Sequence, residues 1–207
     1  TFTCFASRTI YGENRPMTNP TLSFIGGGNM AHSLIGGLIA DGWPADHIHV
    51  TDTKPEPLTH LAERFGVTTS SDNSAAVATA DVVVLAVKPQ VMRTVAGDIG
   101  GAVQTRRPLV ISIAAGIRSE DLARWLGPQA RVVRAMPNTP ALVAAGITGL
   151  YAMPGVTAAQ RQDAERILAA VGSTFWVDAE RDLDAVTAVS GSGPAYVFYF
   201  IEALERA

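Results

Sequence analysis

Along the chain, short apolar runs closed by glycine, proline or an acid alternate with stretches in which apolar residues recur every three or four positions. TLSFIG (21–26), DVVVLAV (81–87) and PLVISIAAG (108–116) are almost continuously apolar and rich in β-branched residues, the pattern of strands covered on both faces. HIHVTD (47–52), RVVRAMPN (131–138), GITGLYA (146–152) and STFWVD (173–178) read as further strands. Met30, Leu34, Ile35 and Leu38 keep helical spacing until Asp41–Gly42 stops them, and Leu58, Leu61, Ala62 and Phe65 repeat that spacing. Helices are also expected around 74–79, 119–126 and 157–171. Strands alternating with helices imply an α/β chain built on a doubly wound, mostly parallel sheet.

Near residue 179 the texture changes to helix only: a segment over 180–189, a glycine break, then GSGPAYVFYFIEALERA. Gly191, Gly193 and Pro194 mark a helix start, and Tyr196, Val197, Phe198, Tyr199, Phe200, Ile201 and Leu204 make that helix apolar around most of its circumference. Such a helix needs partners on nearly every side. The expected organisation is therefore an N-terminal extension over 1–19, a sheet domain over 20–178, and the beginning of a helical unit over 179–207. The extension is expected to be disordered: it lacks periodicity, precedes a natural-looking start at Met17, and has neither the basic start nor the cleavage site of a signal peptide.

Composition narrows the classes. Of 207 residues, 47% are apolar, enough for a sizeable core, and the formal charge of −3 argues against a nucleic-acid surface. No apolar run reaches the length of a membrane span. The single cysteine, Cys4, excludes an internal disulfide framework and fits a reducing compartment, so a cytoplasmic location is expected.

FIGGGNMA places Gly26, Gly28 and Ala31 in a G-x-G-x-x-G/A pattern directly after a strand and at the opening of a helix. In a Rossmann-type unit the first glycine permits the tight turn, the second lets backbone N–H groups approach a pyrophosphate, and the third position keeps helix and strand close. The helix N-terminus adds unpaired donors and partial positive charge. Asp52 closes the next strand, where a carboxylate bonds the ribose hydroxyls of NADH and repels the 2′-phosphate of NADPH. Thr51, Thr53 and Lys54 beside it could hold that phosphate instead, so both cofactors stay open, with the physics leaning to NADH.

Ligands of such a sheet lie beyond the carboxyl ends of the strands, where AVKPQ (86–90), SIAAG (112–116) and MPNTP (136–140) fall. These loops are small or proline-constrained, as a slot for a flat ring should be. Lys88 is either an acid or, before a proline, a positional residue. Asn138 and Thr139 either bond a carboxamide or hold a turn through an Asx-type bond. His32, His47, His49 and His60 have no metal-ligand spacing, and SGSG (190–193) lacks the context of a nucleophile elbow. The chemistry is thus expected to reside in a cofactor, without a metal, and no catalytic side chain is nominated.

Taken together, FIGGGNMA, LIGGL, AVKPQ, ISIAAG, RAMPNTPALV and AVSGSGPAYVF resemble pyrroline-5-carboxylate reductase, over about residue 20 to the end. The resemblance implies a Rossmann domain followed by an all-helical dimerisation domain that interlocks with another subunit, as a homodimer or higher homo-oligomer. It implies reduction of 1-pyrroline-5-carboxylate to L-proline by NADPH or NADH, the last step of proline biosynthesis. By motif, Ile25, Gly26, Gly27, Gly28, Asn29 and Met30 would hold the pyrophosphate. Asp52 and Lys54 would meet the adenosine ribose or its phosphate, with Asn73 at the same end. Ala86, Val87, Lys88 and Pro89, and Ala114, Ala115 and Gly116, would line the nicotinamide side, with Asn138 close to the reacting ring. In the family, further helices follow the SGSGPAY helix and grip the substrate carboxylate; none stands in these 207 residues. A fragment that binds dinucleotide without turnover is the alternative this raises. A hydroxyacid dehydrogenase would need a Lys or His after the boundary, and residues 180–207 hold neither.

Overall fold

The computed structural model describes residues 19–207, so Cys4 and nearly all of the expected N-terminal extension lie outside the described residues. Eight strands form one sheet: β1 (Leu22–Ile25), β2 (Ile48–Thr51), β3 (Thr68–Ser70), β4 (Val82–Leu85), β5 (Leu109–Ser112), β6 (Arg131–Met136), β7 (Gly146–Ala152) and β8 (Gly172–Trp176). Their order across the sheet is β3-β2-β1-β4-β5-β6-β7-β8. The first six run parallel, β7 pairs antiparallel with β6, and β8 runs parallel to β7. Strand order reverses between β1 and β4, which opens a crevice at their carboxyl ends.

The helices are α1 (Asn29–Ala40), α2 (Pro55–Phe65), α3 (Asn73–Thr79), α4 (Pro89–Arg106), α5 (Ser119–Leu126), α6 (Ala158–Ala169), α7 (Asp182–Val186) and α8 (Gly193–Glu205). Successive strand residues point to opposite faces, and the packing follows that alternation. Phe24, Val82, Val84 and Ile111 cluster with Leu34 and Leu38 of α1, Leu61 of α2 and Ile167 of α6. Ile25, Val83, Leu85 and Val110 cluster with Val77 of α3, Met92 and Ile99 of α4 and Leu122 of α5. Both faces of the sheet are therefore covered, which is why its central strands read as unbroken apolar runs. The LIGGL stretch has a steric reason: a Cβ on Gly37 would lie 2.3 Å from the Ala170 carbonyl oxygen, so only glycine lets α1 approach the end of α6.

Two elements were not expected. β3 is a three-residue edge strand, Thr-Thr-Ser, too short and too polar to show a period. The 18-residue α4 lies where no helix is expected, because Gly97, Gly100 and Gly101 and several β-branched residues dilute its apolar stripe. The helical C-terminus also differs from the expected pair of helices with a break. A π-helical turn over Thr187–Gly191 joins α7 to α8, with the Ser192 N–H donating to the Thr187 carbonyl at 2.9 Å. Gly191 faces Met136 across this turn, and a Cβ there would meet the methionine Cε at 2.7 Å.

Candidate active site

Gly26 leaves β1 with φ of +104°, a conformation that favours glycine. A Cβ on it would sit 2.7 Å from the Ala86 carbonyl oxygen, and the Ala86 N–H donates to the Ile25 carbonyl at 2.8 Å. This contact draws the turn after β1 against the loop after β4. Gly28 is the N-cap residue of α1, exposed, and a Cβ built on it meets nothing within 4 Å. The opening turn of α1 has amides with no intrahelical acceptor, and the positive end of the helix dipole lies there. Gly28, Asn29 and Met30 thus border open space beside these donors, which a side chain at position 28 would enter. The donor set and the space fit a diphosphate.

Gly26 and Gly27 contribute less directly. The Gly26 N–H donates to the Thr51 carbonyl at 2.7 Å, and the Gly27 N–H donates to Asp52 Oδ2 at 2.8 Å. Asp52 stands directly after β2, and its Oδ1 accepts from the Lys54 N–H at 2.9 Å. Asn73, at the start of α3, is brought to the same end, where Thr51 Oγ1 donates to its Oδ1 at 2.5 Å. The structure therefore gathers Asp52, Lys54 and Asn73 around the carboxyl end of β2. The Lys54 side chain is exposed beside Asp52.

Ala86, Val87, Lys88 and Pro89 form the turn from β4 into α4, with Pro89 in the first turn of that helix and Lys88 exposed at its N-cap. Ala114 is buried, while Ala115 and Gly116 are exposed in the loop after β5, where Gly116 has φ of +76°. Asn138 follows β6 and is buried; its Oδ1 accepts from the Ile147 N–H at 3.0 Å and its Nδ2 donates to Ser190 Oγ at 3.0 Å. Both ends of this amide are engaged by the protein, and they tie the MPNTP loop to the π-helical turn.

Sequence reasoning missed a buried ionic cluster beneath that turn. Arg134 on β6, whose side chain is only 5% exposed, donates from Nη1 to Glu180 Oε1 at 3.1 Å, and its Nη2 lies 3.9 Å from Asp184 Oδ1. Glu180 also accepts from the Ser119 N–H and hydroxyl, each at 2.7 Å. Burial pushes the Glu180 carboxyl up, but the Ser119 bonds and Arg134 outweigh it and hold it below the ordinary carboxyl range. The arginine in RVVRAMPN, charged in the middle of an apolar strand, was the available signal.

The histidines sit against local neighbours, with His32 Nε2 buried and without a hydrogen-bond partner among the described residues. His47 Nδ1 is 2.9 Å from the Asn19 carbonyl oxygen, His49 Nε2 is 2.9 Å from Ser70 Oγ, and His32 packs edge-on against Phe65. Burial, with Arg64 and His60 nearby, holds His32 below the ordinary imidazole range. Among the described residues, no group of three His, Cys, Asp or Glu could hold a metal ion, and no helix is long and apolar enough to cross a membrane.

Residues 21–116 match the family described as NADP oxidoreductase coenzyme F420-dependent, and residues 180–207 match pyrroline-5-carboxylate reductase dimerisation. The pyrroline-5-carboxylate reductase of Pseudomonas aeruginosa is 50% identical over 191 residues, covering 92% of this chain and 70% of that protein. The solved pyrroline-5-carboxylate reductase of Coxiella burnetii superposes with a TM-score of 0.87 at 43% identity, over 91% of this chain and 70% of that one. The Plasmodium falciparum pyrroline carboxylate reductase, solved with NADP bound, gives a TM-score of 0.79 at 28% identity, over 90% and 68% of the two chains.

Proposed function

The chain belongs to the pyrroline-5-carboxylate reductase family, and from that membership we propose that it reduces the C=N bond of 1-pyrroline-5-carboxylate to give L-proline, the last step of proline biosynthesis. The observation that carries the reading is the open cradle at Gly28, bordered by the opening turn of α1 at the switch point of the sheet. NADPH or NADH, when bound, supplies the hydride. Gly28, Asn29 and Met30 hold the diphosphate through backbone donors, with Ile25, Gly26 and Gly27 shaping the turn beneath. Asp52, Lys54 and Asn73 meet the adenosine ribose. Ala86, Val87, Lys88, Pro89, Ala114, Ala115 and Gly116 line the ring, and Asn138 closes that side. Their small or proline-fixed side chains position two flat rings rather than donate protons, which suffices because a protonated imine is already an electrophile.

In this reading residues 20–178 form the dinucleotide-binding domain and 179–207 begin the helical dimerisation domain, supported by the match of 180–207 to that domain. The protein works as a homodimer or higher homo-oligomer in the cytoplasm. Formation of proline from 1-pyrroline-5-carboxylate, followed by loss of NAD(P)H absorbance, tests the activity. A second reading, cofactor binding without turnover, draws on α8: its large apolar side chains stand exposed, so the helical side of the site is uncovered in a single copy. Cofactor binding with no proline formed would favour that second reading.

A further inference from the structure

We propose that Ser190 presents a hydrogen-bond donor to a carbonyl-type oxygen of a bound reactant, with Asn138 as the positioning residue that sets the direction of its proton. The inference rests on the proposed function and deepens it. Its basis is the polarity of a short chain of bonds. The Ile147 backbone N–H can only donate, so the Asn138 atom it meets at 3.0 Å is the amide oxygen. The other end of the amide is then the NH2 group, which can only donate, and it meets Ser190 Oγ at 3.0 Å. Ser190 Oγ is therefore an acceptor toward Asn138, and its own proton is turned away from it. Among the described residues, that proton has no acceptor.

Placement gives the proton a use. Asn138 lies two residues beyond the carboxyl end of β6, neighbour of β5, whose loop carries Ala114–Gly116. Ser190 lies in the π-helical turn, a feature frequent at functional sites because its extra residue redirects side chains. The residue is half-buried. Below it, the Arg134–Glu180–Ser119 cluster pins the start of the same segment to β6 and to α5. The segment is thus tied to β6 at Glu180 and to the MPNTP loop at Ser190, with one unspent donor at the second tie. Two oxygens have the matching chemistry: a carboxylate oxygen of the imine acid, and the carboxamide oxygen of the nicotinamide.

The test uses Ser190→Ala, Ser190→Thr and Asn138→Asp in the native full-length protein. NAD(P)H affinity is read by fluorescence titration, L-proline affinity by calorimetry with oxidised cofactor present, and KM and kcat alongside. Ser190→Ala is expected to weaken one ligand by about tenfold to a hundredfold, the loss expected for a bond to a charged or strongly polar group. A loss confined to proline and to KM for the imine identifies the carboxylate; a loss in NAD(P)H affinity identifies the carboxamide. Ser190→Thr restores binding. Asn138→Asp keeps an acceptor for Ile147 but turns the serine proton toward its own carboxylate, so it should mimic Ser190→Ala, and the double variant should lose no more than either alone. Both affinities within about twofold of wild type in a folded Ser190→Ala protein overturn the proposal, as do fully additive losses in the double variant. Absence of proline formation by wild type would overturn the proposed function instead, and NAD(P)H affinity alone would then decide the role of Ser190.

Discussion

Asp52 Oδ2 accepts the Gly27 N–H at 2.8 Å, so one amide of the glycine-rich turn is bound to the carboxylate that ends the next strand. Oδ1 takes the Lys54 N–H at the same time, so both carboxylate oxygens are held by backbone amides. The turn and the Asp52 charge are thus tied together, and the amides of the turn left open begin at Gly28.

Asp52→Ser therefore acts on two properties at once. Removing the fixed negative charge should move the ratio of kcat/KM for NADPH over NADH upward by roughly tenfold to a hundredfold, since repulsion of the 2′-phosphate disappears. Two backbone amides lose a charged acceptor, so thermal stability should fall by about 1–3 kcal/mol. Parallel assays with each cofactor, plus a melting curve, check both. An unchanged cofactor ratio would show that Lys54 and Thr53 govern selection.

The two glycines at the turn separate folding from binding. Gly28→Ala places its methyl in open space at an ordinary φ of −73°, so the melting temperature should hold while cofactor affinity drops more than about tenfold as the methyl enters the phosphate cradle. Gly26→Ala meets the Ala86 carbonyl at 2.7 Å and a φ of +104°, and should cost about 2–4 kcal/mol of stability. Calorimetric melts and cofactor titrations on both variants give the comparison.

How much of this was legible depends on distance along the chain. The central strands β1, β4 and β5 were readable because burial on both faces leaves an unbroken apolar run. α4 was not, because its buried positions include Ala96 and Gly100, which carry little hydrophobic signal. The glycine-rich turn was recognisable as a dinucleotide motif, yet which of its amides remain open depends on Asp52, 25 residues away. The same holds for Asn138, whose amide is committed to Ser190 across 52 residues, and for Arg134, whose counter-ion Glu180 lies 46 residues on. Local pattern announces elements and turns; the polarity of a site is set by pairings that only the fold brings together.

The Arg134–Glu180 pair gives a pH-dependent prediction. A carboxyl held below its ordinary value of 4.5 stabilises the fold at higher pH, and this contribution is lost as pH falls below that value and through the lowered one. Glu180→Gln removes the nearer counter-ion of the buried Arg134 and leaves Asp184 at 3.9 Å, so at pH 7 it should cost about 1–3 kcal/mol. The difference between wild type and variant should narrow steadily below about pH 4.5. Denaturant unfolding at pH 7, 5 and 3.5 measures it. A gap that stays constant over that range would mean that Glu180 stabilises only by packing.

The surface of α8 leads to a prediction about assembly. Tyr196, Phe198 and Phe200 are 67%, 64% and 63% exposed, and Val197, Tyr199, Ile201 and Leu204 are exposed with them. At about 100° per residue, Tyr196 and Phe198 point to opposite sides of the helix, so pairing along one face would bury one and leave the other in water. Only an arrangement that surrounds the helix covers both, and the match of 180–207 to a dimerisation domain points to a second subunit as part of that cover. Burying each aromatic contributes about 1.5–3 kcal/mol, so Tyr196→Lys and Phe198→Lys should each raise the subunit dissociation constant by roughly tenfold to a hundredfold, independently of one another. Sedimentation velocity across a concentration series reads the effect. Monomeric wild type at high concentration would remove the premise, and a silent result from one of the two substitutions would reduce the enclosure to a single contacting face.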